Sequence, residues 1–184
     1  QTASEDEDLP PPERDHRQVI SAFTRLIRDW PKYRDLDGAF YARAHCYLEM
    51  GEEQSALNDF KRIIKKYPQS DYRTEVWNLI GELYFQFSDH QKAIEAYSEV
   101  IKDKSSQYYA SAYYKLAWTY YRNDQFEDAV EHFKRLIEYS DLQVKKGNKG
   151  FELRAEALQY LAISLNEDDW DDDGIMDANA GFRR

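Results

Sequence analysis

The sequence predicts an all-α chain, an α-solenoid built of antiparallel helix pairs. Three observations carry that expectation. First, one set of positions recurs at 36 to 37 residues. Ala56, Ala93 and Ala129 are 37 and 36 apart, and Phe60, Tyr97 and Phe133 keep the same intervals, as do Tyr47, Tyr84 and Tyr120. A fixed period in this range marks units that cannot bury their apolar faces alone and must stack on their neighbours. Second, a small residue stands three before each of those tyrosines, at Ala44, Gly81 and Ala117. Third, Trp77, Ile80, Gly81 and Tyr84 fall at i, i+3, i+4 and i+7, which is one helical face.

The elements follow in chain order. Residues 1–13 hold the acidic run Ser4-Glu5-Asp6-Glu7-Asp8 and then Pro10-Pro11-Pro12, and are expected to be a disordered or extended tail. The array is expected over 14–167. Residues 14–36 read as the second helix of an incomplete unit. Phe23, Leu26, Ile27 and Trp30-Pro31 match Phe60, Ile63, Ile64 and Tyr67-Pro68 at a distance of 37 residues. Unit one, 37–73, sets Phe40, Arg43, Ala44 and Tyr47 on a first helix, turns at Met50-Gly51, and sets Ala56, Phe60 and Ile63 on a second. Unit two, 74–109, turns at Ser88-Asp89-His90 and continues with Ala93, Tyr97 and Val100. Unit three, 110–151, has Tyr113, Leu116, Ala117 and Tyr120, a turn at Asn123-Asp124, then Ala129, Phe133 and Leu136. Its last stretch, Asp141 to Gly150, contains Lys145, Lys146 and Lys149 and lengthens the step to the next unit by about nine residues. Insertions of this kind map to loops, so a basic loop is expected, either simply solvated or in contact with acidic groups. Residues 152–167 read as the first helix of a fourth unit, with Leu158, Leu161, Ala162 and Leu165 in the packing positions. An acidic segment, 168–184, follows.

These residues resemble the tetratricopeptide repeat, W-x2-L-G-x2-Y, then A-x3-F, then a closing proline. Unit two supplies Trp77, Ile80, Gly81, Tyr84, Ala93 and Tyr97, and unit one supplies Pro68 but has Arg43 at the leucine position. The resemblance covers roughly residues 14–166 and implies a right-handed superhelix whose first helices line a concave groove. By repeat phase the groove positions are Tyr41 and His45 from unit one and Asn78, Glu82, Phe85 and Gln86 from unit two. Unit three adds Tyr114, Lys115, Trp118, Tyr121 and Arg122, and unit four adds Gln159 and Ile163. Aromatic and arginine side chains dominate the energetics of protein interfaces, so the groove is expected to bind a protein or peptide. Family members that clamp chaperone tails use basic and asparagine residues. His45 and Glu82 stand at two of those places, which argues against that role. The period is longer than the usual 34, and Trp30-Pro31-Lys32-Tyr33 and Lys66-Tyr67-Pro68-Gln69-Ser70 resemble repeats of bacterial cell-envelope proteins. That resemblance implies a periplasmic or envelope location, with the cytoplasm as the alternative.

Composition limits the partner. The chain has 25 Lys and Arg against 35 Asp and Glu, a net charge of −10. Phosphate binding needs a basic face, so no nucleic acid is expected. No apolar run approaches 18 residues, so no membrane span is expected. Cys46 is the only cysteine; next to the packing position Tyr47, it reads as a small buried apolar residue. The histidines His16, His45, His90 and His132 have no ligand spacing, and there is no glycine-rich phosphate loop or nucleophile elbow. Catalysis is not expected.

One stretch carries the chemistry of a metal site. Asp169, Asp171 and Asp173 alternate, Gly174 follows, and the Ile175 carbonyl and Asp177 come next. That is the opening of an EF-hand-type loop, in which alternate oxygens converge on one calcium ion and the glycine allows the sharp turn. It also resembles the short loops of thrombospondin type 3 modules. The loop departs from the pattern at its twelfth position, where Ala180 replaces the bidentate glutamate. An acidic solvated tail is the other reading. The reading as a whole is a non-enzymatic scaffold within a multiprotein assembly. A calcium-stabilised envelope module and a recruiting arm of a larger enzyme or secretion machine stand as alternatives.

Overall fold

The computed structural model describes residues 16–165, and within them the chain is eight helices and no strand. They are α1 (His16–Asp29), α2 (Leu36–Glu49), α3 (Glu53–Lys66), α4 (Arg73–Gln86), α5 (His90–Val100), α6 (Tyr109–Arg122), α7 (Phe126–Lys145) and α8 (Arg154–Ser164). Each helix packs chiefly on the one before it and the one after it. The pairs α2–α3, α4–α5 and α6–α7 stack into a right-handed superhelix with α1 and α8 at the two ends. The first helices α2, α4 and α6 each begin one residue before the unit boundaries read from the sequence.

The turns inside the pairs are made the same way three times. Gly51, Ser88 and Asp124 take the left-handed conformation, with φ of 69°, 59° and 56°. The next residue then returns its N–H to the tyrosine carbonyl of the last turn: Glu52 to Tyr47 at 2.8 Å, Asp89 to Tyr84 at 2.9 Å and Gln125 to Tyr120 at 3.0 Å. This is the Schellman closure, which satisfies carbonyls that a helix end leaves orphaned. Asp89 then caps α5, its carboxylate accepting from the Lys92 N–H at 3.3 Å.

The small positions set how closely the helices of a pair approach. Ala44 and Ala117 are fully buried, as are Phe60 and Phe133 at the matching places of the second helices. In unit two the ring is the larger one of Tyr97 and the small residue is glycine. A Cβ on Gly81 would stand 2.5 Å from that ring, nearer than real contacts allow.

One position facing this core is filled differently in each unit. Where unit two pairs Ile80 with Ala96, unit one has Arg43 and Asp59, which are 7 % and 3 % exposed. The Arg43 guanidinium donates to both Asp59 carboxylate oxygens at 2.7 and 2.8 Å and to the Thr24 hydroxyl of α1 at 2.9 Å. The arginine that breaks the leucine pattern is therefore paired and ties α1 to the first pair. In unit three the position of Asp59 is taken by His132, packed against Tyr113 and Tyr120 with Nδ1 2.8 Å from the Asp128 carbonyl. Burial holds its pKa below the usual histidine value.

Two expectations are corrected. The stretch 141–150 is not a loop throughout, because α7 runs on to Lys145. Nothing breaks the helix before Gly147, which takes φ of 81° while Asn148 N–H bonds the Gln143 carbonyl at 2.9 Å. On α8 the buried residues are Ala157 and Ser164, whereas Leu158 and Ala162 are exposed. In the other units a second helix covers those positions, and no second helix follows α8 among the described residues.

Gly81→Leu is expected to lower unfolding free energy by about 1–3 kcal/mol through overpacking against Tyr97, measured by denaturant titration beside an exposed control, Gln91→Leu. Arg43→Leu alone is expected to cost about 3–5 kcal/mol, because Asp59 stays buried without its partner. Combining it with Asp59→Ala, which copies unit two, recovers most of that loss. A double variant no more stable than the single one would show that the pair is not the source of the cost.

Candidate functional site

The inner face of the array is built by α2, α4, α6 and α8, and polar contacts about one repeat apart tie these helices together. The Tyr41 hydroxyl of α2 donates to Glu75 of α4 at 2.7 Å. Lys115 of α6 forms an ion pair with Glu82 of α4. The Tyr114 hydroxyl of α6 donates to Glu156 of α8 at 2.6 Å. Tyr41 and Tyr114 hold equivalent places in units one and three, and so do Glu75 and Glu156 in units two and four, so one rung is used twice. Burial, then the hydrogen bond to the carboxylate, pushes both phenols well above their ordinary pKa. Both hydroxyls therefore stay protonated and serve as donors. Aromatic contacts run beside the rungs: Tyr41 stacks on Tyr72 at 4.3 Å, and Trp118 meets Tyr160 of α8 at 4.5 Å.

A cavity of about 430 Å³ opens between α4 and α6, lined by Glu82, Phe85, Tyr97, Tyr114, Lys115, Trp118 and Arg122. Its walls are phenyl, phenol and indole. The Trp118 Nε1–H donates to the Tyr114 hydroxyl at 2.8 Å, which fixes both rings. Glu82 also accepts from the Asn78 amide at 2.9 Å, so its carboxylate is held on two sides. Arg122 is exposed and has no ion-pair partner among the described residues. The site is thus an apolar slot with a clamped Lys–Glu pair on one side and an open guanidinium at the rim. Such a slot can take up a bulky side chain and orient it by a nearby carboxylate. No base stands against a nucleophile among these seven residues.

Six of the thirteen groove positions read from the sequence line this one cavity: Glu82, Phe85, Tyr114, Lys115, Trp118 and Arg122. Tyr121 lies beside it, its ring 5.8 Å from Trp118. Gln86 is exposed and reaches Glu53, while Gln159 and Ile163 are exposed on α8. Tyr41 and His45 are half-buried, their rings 4.5 Å apart. Asn78 departs from the expectation: it is 5 % exposed, with its amide committed to Glu82, so it supports the site from beneath. The period of Tyr97 marks it as a packing residue alone; the ring that lies over Gly81 also lines the cavity.

Cys46 is half-buried rather than fully buried, and shares a shallow cavity of about 270 Å³ with His16, His45 and Glu49. Burial, and then Glu49, raises its thiol pKa, which disfavours a thiolate nucleophile. Among the described residues no group of three or more His, Cys, Asp or Glu side chains is placed to hold a metal ion. Asp169, Asp171, Asp173, Ile175 and Asp177, the ligands expected for calcium from the sequence, lie outside the described residues. No described helix is long and apolar enough to cross a membrane.

Comparison with known proteins gives the following. Two family models described as tetratricopeptide repeat match residues 39–70 and 77–140. No curated protein matches the chain. Among solved structures, MamA aligns with a TM-score of 0.57 at 23 % identity, over 82 % of this chain and 87 % of that one. A kinesin light chain of Podosopora anserina with nearly identical TPR-like repeats aligns with a TM-score of 0.61 at 15 % identity, over 81 % of this chain and 76 % of that one. At such identities these structures speak to the fold alone.

Proposed function

We propose, from the premise that this chain is a stack of tetratricopeptide repeats, that it is a non-enzymatic scaffold. It binds a protein or peptide partner in the concave groove. The observation that carries this reading is the convergence of Phe85, Tyr114, Trp118 and Arg122 on one cavity between α4 and α6. Rigid aromatic rings give large contact area with few rotamers to freeze, and a cluster of them with an arginine is what interface hot spots are made of. The setting we propose is a multiprotein assembly of a bacterial envelope. This rests on the resemblance of Trp30-Pro31-Lys32-Tyr33 and Lys66-Tyr67-Pro68-Gln69-Ser70 to repeats of such proteins.

A photo-crosslinking amino acid in place of Phe85 is expected to capture a defined partner from native extract, while the same amino acid in place of Gln91 on α5 does not. With that partner purified, Trp118→Ala with Arg122→Ala weakens binding by about 2 kcal/mol or more for each side chain, with the helical circular dichroism unchanged. Unaltered affinity in the double variant would remove the groove from consideration.

We propose also that Asp169, Asp171, Asp173, the Ile175 carbonyl and Asp177 bind calcium, on the strength of their spacing and of Gly174. Calorimetric titration with calcium is expected to give a saturable heat that magnesium does not reproduce and that Asp169→Ala with Asp173→Ala abolishes. Absence of heat at about millimolar calcium, the range of weak extracellular sites, would leave an acidic tail.

A further inference from the structure

A second cavity, of about 560 Å³, shares no lining residue with the groove cavity; it is formed by the loop before α6, the first turns of α6 and the later part of α7 with its cap Lys146. Three cations face it, Lys104, Arg135 and Lys146, against one carboxylate, Glu138. The chain as a whole carries −10, so the local charge has the opposite sign to the molecule. Lys104 and Lys146 have no ion-pair partner among the described residues. Arg135 pairs with the exposed Glu131 at 2.7 Å on its own helix and is also hydrogen-bonded to Tyr113, which lines the same cavity. Cations gather at helix C-termini because the macrodipole favours them there. That accounts for Lys146 at the end of α7, but not for Lys104, which reaches the same cavity from the other side.

The rest of the lining is apolar and aromatic. Tyr109 and Tyr139 pack ring to ring at 4.7 Å, and Leu142 beside them is 47 % exposed. Leu142 stands on the part of α7 that exceeds its counterparts, and Lys146 caps it: α7 has 20 residues, where α3 has 14 and α5 has 11. The helical extension of unit three and its cap therefore supply three of the nine lining residues, Leu142, Gln143 and Lys146.

We infer that this cavity is a second docking site, for an acidic peptide segment of a partner protein that carries a bulky apolar residue among its carboxylates. The apolar side chain sits against Tyr109, Tyr139 and Leu142, and the flanking carboxylates reach Lys104, Lys146 and Arg135. Charge complementarity selects this occupant. A second copy of an acidic chain would meet net repulsion over most of its surface, and a purely apolar partner would leave three cations to be desolvated without compensation.

The test is fluorescence anisotropy with a labelled peptide that alternates glutamate with leucine, and with its isosteric glutamine counterpart. The glutamate peptide is expected to bind, and to bind more weakly as salt rises, since an exposed charged contact is screened. Lys104→Glu with Lys146→Glu is expected to reduce affinity by on the order of tenfold or more, and Lys104→Gln with Lys146→Gln by less. Both positions changed, Lys104 and Lys146, are on the surface, and circular dichroism checks that the fold is kept. The groove variant Trp118→Ala with Arg122→Ala is expected to bind the peptide as the parent does, which separates this site from the groove. Failure of the glutamate peptide to bind, equal binding of the glutamine peptide, or loss in the groove variant but not in the charge-reversed one would each overturn the proposal. So would binding to vesicles of roughly three parts phosphatidylcholine to one part phosphatidylserine with no binding of the peptide.

Discussion

Tyr97 lies over Gly81 so closely that the smallest side chain would collide with its ring, and the geometry of the array is organised around approaches of this kind. Two helices can come together only where one of them offers almost no side chain, and the ring of the other then fills the space beside it. Repeated at Ala44 and Ala117, this fixes the spacing within each pair and hence the stacking of one pair on the next. The inner face is a consequence. Tyr114 reaches Glu156 across 42 residues of sequence, and Lys115 reaches Glu82 across 33, because the backbones beneath them are held in register.

A repeat sequence does not impose a uniform interior. Equivalent places hold Asp59, Ala96 and His132, and each is satisfied locally. Asp59 is matched by a buried guanidinium, Ala96 leaves an ordinary apolar contact, and the histidine finds a backbone carbonyl and two phenol rings. The Arg43–Asp59 pair does more than fill a gap. Through Thr24 it joins α1 to the first pair, at the end of the array where the helix carries no fully buried residue of its own. A directional, charge-assisted contact adds there to the packing of the partly buried Phe23, Leu26 and Ile27 against the core.

Most of the fold was legible in the sequence because a repeat states its pattern several times. Gly81 alone would be weak evidence, but Ala44, Gly81 and Ala117 at one spacing leave little freedom. Repeat phase also fixes which side of a helix a residue occupies. It brought Phe85, Lys115, Trp118 and Arg122 onto one cavity wall. Phase does not report depth, and so Asn78 was placed on the open surface when Glu82 and its neighbours bury it. Nor does it show one residue serving two roles, as Tyr97 does. The end of α7 was misread for another reason. Asp141, Gln143, Lys145 and Lys146 have the polarity of a loop and equally that of a solvated helix, and only the left-handed Gly147 marks where the helix stops.

The three Schellman turns also bear on how this chain can change over evolutionary time. Gly51 enters the left-handed region freely, but Ser88 and Asp124 do so with a Cβ, at roughly 1–2 kcal/mol for a typical L-residue and less where a short polar side chain bonds locally. Both are exposed, and neither lines the groove cavity or the basic one. Stability thus lies in reserve at two surface turns, one glycine codon away in each case. A lineage that took it up would have margin to spend on destabilising substitutions at Phe85 or Trp118, and so on trading one partner for another without losing the scaffold.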